Sequence, residues 1–169
     1  MYHYFLLTFF THKQDAFFWG IGAKEAAVMD PQHRTFMETA WAAVENAGYA
    51  PRTGTPDRTG VFAGCGIDGY LHVHQRGGAL HDPLDPGGVF MTEVGNEKDY
   101  ISTRVSYGLD LLGPSVTVTS ACSSGLAAIA QAASSLATGQ CDMAIAGASA
   151  LTFPNFGYLY VLLSFAMFA

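Results

Sequence analysis

Cys122 is the residue whose type and setting best fit covalent chemistry. It follows a β-branched run, Ser115-Val116-Thr117-Val118-Thr119, and precedes an uncharged, alanine-rich stretch over 124–138. That order reads as strand, tight turn, helix. Only small residues flank the thiol: Ser120, Ala121, Ser123, Ser124 and Gly125. They leave room for a substrate at the sulfur. A helix beginning just after the cysteine brings unpaired backbone N–H groups and the positive end of the helix dipole to it. Both favour thiolate over thiol. The same N–H groups, that of Cys122 included, can stabilise the oxyanion formed when a thiolate attacks a carbonyl. The chemistry on offer is acyl transfer through an acyl-cysteine. A small buried core cysteine is the competing reading, and position alone leaves both open.

Other reactive side chains read as structural. Cys65 ends an apolar run among glycines and Cys141 opens another. His72 and His74, with His81, lack an acidic or thiol partner at ligand spacing, so they read as solvated loop histidines and not as a metal site. Asp30 and Glu38 read as a helix cap and a solvated face. No G-x-S-x-G surrounds Ser123 or Ser124, which argues against a serine hydrolase. A cysteine hydrolase would need a histidine beside Cys122, and His33, His72, His74 and His81 belong to no such motif. Three cysteines without C-x-x-C spacing indicate free thiols in a reducing setting, the cytoplasm or, as the alternative, an organelle.

The elements that must position Cys122 follow from periodicity and breakers. Asp30-Pro31 predicts a helix start. Phe36, Met37, Ala40, Trp41, Val44 and Ala47 recur at helical spacing up to Gly48, giving a helix over 31–47. Residues 61–66 read as a short buried strand. Residues 68–96 carry glycines, prolines and scattered charge without a period, and are expected to form a long loop. Residues 99–109 read as a helix with Ile101, Val105 and Leu109 on one face. After the Gly113-Pro114 breaker come a strand over 115–119, a helix over 124–138 expected to be buried on all sides, and a strand over 142–147. Strand, helix, strand with short links predicts a βαβ unit and a parallel sheet in an α/β fold.

The whole chain has 169 residues, half of them hydrophobic and 13% charged, which excludes a disordered protein. Eight Lys+Arg against fourteen Asp+Glu give a net charge of −6, which argues against nucleic acid as a partner. From Leu111 to Ala169 the sole charged side chain is Asp142. Such a segment belongs at the centre of a larger fold or against a partner. Met1–Phe10 is apolar but lacks a basic n-region and a small-residue cleavage site, so it does not read as a secretory signal. The apolar tail, Phe156–Ala169, is shorter than the ~20 residues a membrane span needs.

Val118-Thr119-Ser120-Ala121-Cys122-Ser123-Ser124-Gly125-Leu126 closely resembles the active-site signature of β-ketoacyl synthases, in the form found in polyketide synthases. Met29-Asp30-Pro31-Gln32-His33-Arg34, Ala40-Trp41, Glu45-Asn46-Ala47-Gly48, Arg58-Thr59-Gly60-Val61-Phe62, Gly95-Asn96, Arg104-Val105-Ser106-Tyr107, Gly113-Pro114-Ser115-Val116 and Cys141–Gly147 are similar to that family's motifs and follow in its order. The resemblance implies the N-terminal half of a thiolase-like fold, residues 16–157, with the nucleophile helix buried between two sheets. Residues 1–15 and 158–169 are unassigned flanks. It implies Cys122 as the acyl-accepting nucleophile, acyl and malonyl groups delivered as carrier-protein thioesters, no metal or bound organic cofactor, and a homodimer in the complete enzyme. It also implies two histidines and a lysine after the nucleophile. Here all six histidines, and Lys13, Lys24 and Lys98, precede Cys122. The reading is therefore a β-ketoacyl synthase half-domain of polyketide or fatty acid biosynthesis. Its alternative is a truncated, catalytically silent fragment with at most a dimerisation or binding role.

Overall fold

The computed structural model describes residues 15–67, 69–76, 86–151 and 164–168, with 73–76 and 164–168 described as backbone only. Its elements in chain order are α1 (Ala23–Val28), α2 (Pro31–Asn46), β1 (Thr59–Cys65), α3 (Gly69–Arg76), α4 (Pro86–Asn96), α5 (Ile101–Leu109), β2 (Ser115–Thr117), α6 (Ser124–Ala137), β3 (Met143–Ser149) and β4 (Ser164–Phe168).

Helix α2 forms where the cap and the apolar stripe require it. The Asp30 side chain accepts from the Gln32 N–H at 2.7 Å, with Pro31 at the first helical position. Gly48 closes the other end at φ +85°, a left-handed conformation that costs glycine nothing. Phe36, Met37, Ala40 and Val44 face inward. They pack with Ile101, Val105 and Leu109 of α5 against Val61 and Ala63 of β1 and Ile145 of β3. Fully burying one such large apolar side chain contributes about 1.5–3 kcal/mol. On the opposite face of the sheet, Phe62, Ala144 and Ala146 pack with Ala128 and Ala132 of α6.

The sheet has the order β2-β1-β3-β4. β1 pairs in parallel with both β2 and β3, so the unit β2–α6–β3 crosses over β1. The parallel α/β arrangement agrees with the sequence reading. β4 adds an antiparallel strand beside β3, where the apolar tail gave no assignment.

Three expectations are corrected. Residues 68–96 do not form one long loop, because α3 and α4 occupy most of the span. Pro86, Gly87 and Gly88 stand in the first turn of α4, where they signal a loop, but tertiary contacts set the outcome. Asn96 Nδ2 donates to the Val28 carbonyl at 2.8 Å, and Asp30 N–H donates to the Gly95 carbonyl at 2.9 Å. Arg104 of α5 bonds Glu25 of α1 at 2.9 Å and the Val94 carbonyl at 3.2 Å. Helix α6 is not buried on all sides. Ala128, Ala132 and Ser135 are buried, whereas Leu126 is 74% exposed, with Ala130 and Ala133 exposed beside it. Absence of charge marks a helix that water does not require, but among the described residues a single sheet covers it. Strand β2 is also shorter than the expected 115–119. Residues 1–14, His81 and residues 152–163 lie outside the described residues.

Candidate active site

Cys122 is the middle residue of a single 3-10 turn, Ala121–Ser123, that joins the β2 segment to α6. The thiol is exposed, whereas Cys65 is half-buried and Cys141 is buried. The Cys141 thiol is spent on Ser135 Oγ at 3.4 Å, inside the core beneath α6. The elbow expected at Cys122 is therefore present, and Cys65 ends β1 as expected, whereas Cys141 lies two residues before β3 instead of opening it.

Three serine hydroxyls and one alanine shape the elbow. Ala121 has φ +49°, a left-handed conformation rare for a residue with a β-carbon. Ser124 Oγ accepts from the Ser120 N–H and donates to the Ala121 carbonyl, both at 2.9 Å. Ser123 Oγ donates to the Ser120 carbonyl at 2.7 Å and lies 2.8 Å from Ser120 Oγ. The sheet comes close enough to seat this turn only because position 64 is glycine. A β-carbon there would lie 2.6 Å from the Val118 carbonyl oxygen and 3.0 Å from Ser124 Cβ. The first turn of the fourteen-residue α6 then places the helix's positive end beside the cysteine.

On the far side of the sheet, the Gln32 side chain ties together the ends of the same strands. Its Oε1 accepts from the Gly66 N–H at 2.8 Å and the Leu151 N–H at 3.2 Å. Its Nε2 donates to Asp30 Oδ2 at 3.2 Å and to the Ile67 carbonyl at 3.3 Å. Ser149 Oγ donates to the Gln32 carbonyl at 3.1 Å.

Residues 6–161 match the family model for the β-ketoacyl synthase N-terminal domain. The chain belongs to the β-ketoacyl synthase family. Among curated relatives it is 42% identical to a mycocerosic acid synthase-like polyketide synthase of Mycobacterium tuberculosis, a match covering 79% of this chain and 6% of that protein. It is 44% identical to erythronolide synthase EryA3 of Saccharopolyspora erythraea, covering 79% of this chain and 4% of that one. Ketosynthase twelve of the bacillaene polyketide synthase of Bacillus amyloliquefaciens superposes with a TM-score of 0.73 at 30% identity, covering 88% of this chain and 25% of that chain. The module 1 ketosynthase of the bacillaene synthase from the same species gives 0.74 at 29%, covering 87% of this chain and 26% of that chain. The fold is thus that of the ketosynthases, and this chain spans only a small part of the length of these polyketide synthases.

Of the histidines that the sequence offered for the thiol, the structure of this ketosynthase-family chain sets His33 apart from it. His33 lies in α2, which packs on the face of the sheet opposite α6, and it is 1% exposed. Neither of its ring nitrogens has a hydrogen-bond partner. Burial, aided by the Arg104 guanidinium, lowers its pKa to about 3. His72 is exposed on α3, and of His74 only the backbone is described. Among the described residues no group of three His, Cys, Asp or Glu could hold a metal, and no helix is long and apolar enough to cross a membrane. Asp30 does cap α2, and Glu38 is exposed on that helix. Sequence reasoning missed Ala121, Ser124, Gly64 and Gln32. A glycine inside a strand run was the available signal for Gly64. Nothing local distinguishes Ser124 from its neighbouring serines.

Proposed function

We propose that Cys122 is the acyl-accepting nucleophile of a β-ketoacyl synthase acting in polyketide or fatty acid biosynthesis. The observation that carries this reading is an exposed thiol in the turn that opens α6, inside the run that resembles the family signature. The Cys122 thiolate attacks the carbonyl of an acyl thioester on a carrier protein, the carrier thiolate leaves, and the acyl group stays on Sγ. A malonyl-type thioester then loses CO2. Its enolate carbon attacks the acyl-cysteine carbonyl, a carbon–carbon bond forms, and the Cys122 thiolate is released. Backbone N–H groups at the start of α6 suit the oxyanion of each acyl-transfer step. The reaction draws on no metal and no bound organic cofactor. Its partners are an acyl carrier protein and, in the complete enzyme, a second copy of the synthase. The free thiols suit a reducing, cytoplasmic compartment.

Acylation and condensation make different demands on the chain. Acylation needs the thiolate and an oxyanion site. Condensation also needs a stabilised enolate, a task for histidines, and every histidine of this chain precedes Cys122. General acid–base groups typically contribute 10²- to 10⁴-fold each, so condensation by this chain alone should stay near background. The test is labelling with an acyl thioester or a chloroacetyl probe, peptide mapping, and a malonyl condensation assay on the same sample. Preferential labelling of Cys122 without condensation is the expected result. Preferential labelling of Cys65 or Cys141 would remove the assigned nucleophile. The placement of the histidines also favours a second reading, a silent chain that only dimerises or binds a partner, and labelling at none of the cysteines would leave that one standing.

A further inference from the structure

We propose that Ser124 is a positioning residue for Cys122, an inference that rests on the nucleophile role proposed above. Ala121 holds a left-handed backbone at φ +49° without being a glycine. Such a conformation persists only where the surroundings enforce it. The Ser124 hydroxyl spans that residue. It accepts from the N–H of Ser120 on one side and donates to the carbonyl of Ala121 on the other, each at 2.9 Å. The Ser124 N–H also bonds the Ala121 carbonyl. Ser124 is 5% exposed, and its β-carbon lies so near β1 that a β-carbon added at Gly64 would come within 3.0 Å of it. A continuous path therefore runs from the rigid end of β1 through Ser124 to the two peptide groups that aim Cys122. Ser123 differs. Its hydroxyl bonds are exposed, and water can replace them.

Aim matters more for acyl transfer than for simple alkylation. Attack on a thioester requires the sulfur and the oxyanion-binding N–H groups to meet one carbonyl in one geometry, whereas alkylation by iodoacetamide requires only a reachable thiolate. The experiment measures second-order rate constants for labelling of Cys122 by an acyl thioester and by iodoacetamide across pH. It uses the 169-residue chain and its Ser124→Ala, Ser123→Ala and Ser124→Ala/Ala121→Gly variants, each checked by circular dichroism and thermal melting. Ser124→Ala should lose about tenfold or more in thioester labelling, as a misplacement of this kind costs. Its iodoacetamide rate should stay within about threefold, because the thiolate remains reachable. Ser123→Ala should lose less in thioester labelling than Ser124→Ala does, because its hydroxyl bonds are exposed. Ala121→Gly in the Ser124→Ala background should recover several-fold, because glycine adopts the left-handed turn without support. Wild-type thioester rates in Ser124→Ala, an equal fall in both reagents together with the melting transition, or no recovery in the double variant would each overturn the proposal. Failure of the wild-type chain to label at Cys122 would instead overturn the nucleophile assignment itself.

Discussion

His33 is a buried, neutral imidazole whose cost can be measured directly. The unfolded chain takes up its proton near pH 6.5, whereas the folded chain resists until about pH 3. Between those values the unfolded state holds more protons, so stability falls as pH drops below 6.5. The expected slope is about 1.4 kcal/mol per pH unit from this residue. Denaturant unfolding at pH 7, 6 and 5 should show wild type losing stability faster than His33→Leu, and parallel profiles would refute this. Leucine also removes two ring nitrogens that have no partner, so its penalty at neutral pH should be small. Gly64 is the other residue with a sharp expectation. Gly64→Ala drives a methyl group to 2.6 Å from the Val118 carbonyl oxygen. It should cost about 1–3 kcal/mol by overpacking and slow Cys122 acylation. An unchanged denaturation midpoint and labelling rate would show that the elbow does not rest on the sheet. The elbow at Cys122 could be read from sequence because small residues between a β-branched run and an uncharged run leave few other geometries. Ala121 could not, because alanine seldom adopts positive φ and only the contacts made by Ser124 explain why it does here.

At the scale of elements, α2 is anchored by its first turn. Asp30→Ala should cost about 1 kcal/mol, the usual worth of an N-cap. Gln32→Leu should cost more. It orphans the buried Leu151 N–H, a loss worth about 1–3 kcal/mol, and leaves Asp30 Oδ2 without the Gln32 amide, while the Gly66 N–H keeps the Ser149 carbonyl at 3.0 Å. Equal midpoints for the two variants in urea would refute the ranking. The segment around Phe18 and Trp19 is held differently, by Arg52. That guanidinium lies 5.4–5.6 Å from the ring centres of Phe18, Trp19 and Trp41, and its Nε donates to the Gly108 carbonyl at 2.8 Å. Arg52→Lys loses the planar fork and the stacking. Since Trp19 and Trp41 are both tryptophans of the chain, their emission should shift to the red at lower denaturant than circular dichroism reports unfolding. Coincident transitions would deny the segment this separate release. The helix at α2 and the core strands were legible because cap, stripe and β-branched runs agreed with one another. α3 and α4 were not, because glycine and proline in their neighbourhood argue locally for a loop while Asn96, Arg104 and Asp30 act from a distance. Pairing β2 with β1 and not with β3 is likewise a choice that no short-range signal carries.

At the scale of the whole molecule, two exposed features act together. Leu126, Ala130, Ala133 and Ala137 are exposed at helical spacing and form an apolar stripe along α6. β2 pairs only with β1 among the described residues, so its other edge is open. An apolar stripe and an open strand edge each favour association, and Leu112 adds a further side chain at 76% exposure. A net charge of −6 opposes association in general. From Leu111 onward, however, the sequence carries only Asp142, so that repulsion is weakest where the stripe lies. The isolated chain should therefore bind a hydrophobic dye and self-associate with rising concentration in sedimentation velocity. Leu126→Glu separates this surface effect from the fold. Position 126 is the third residue of α6, in the first turn, where a glutamate suits the positive end of the helix. The variant should reduce dye binding and association while leaving the melting transition equal or higher. Association unchanged by this substitution would show that the stripe is not the surface responsible. A fall in the melting transition would show that Leu126 packs against something within the chain, contrary to its exposure.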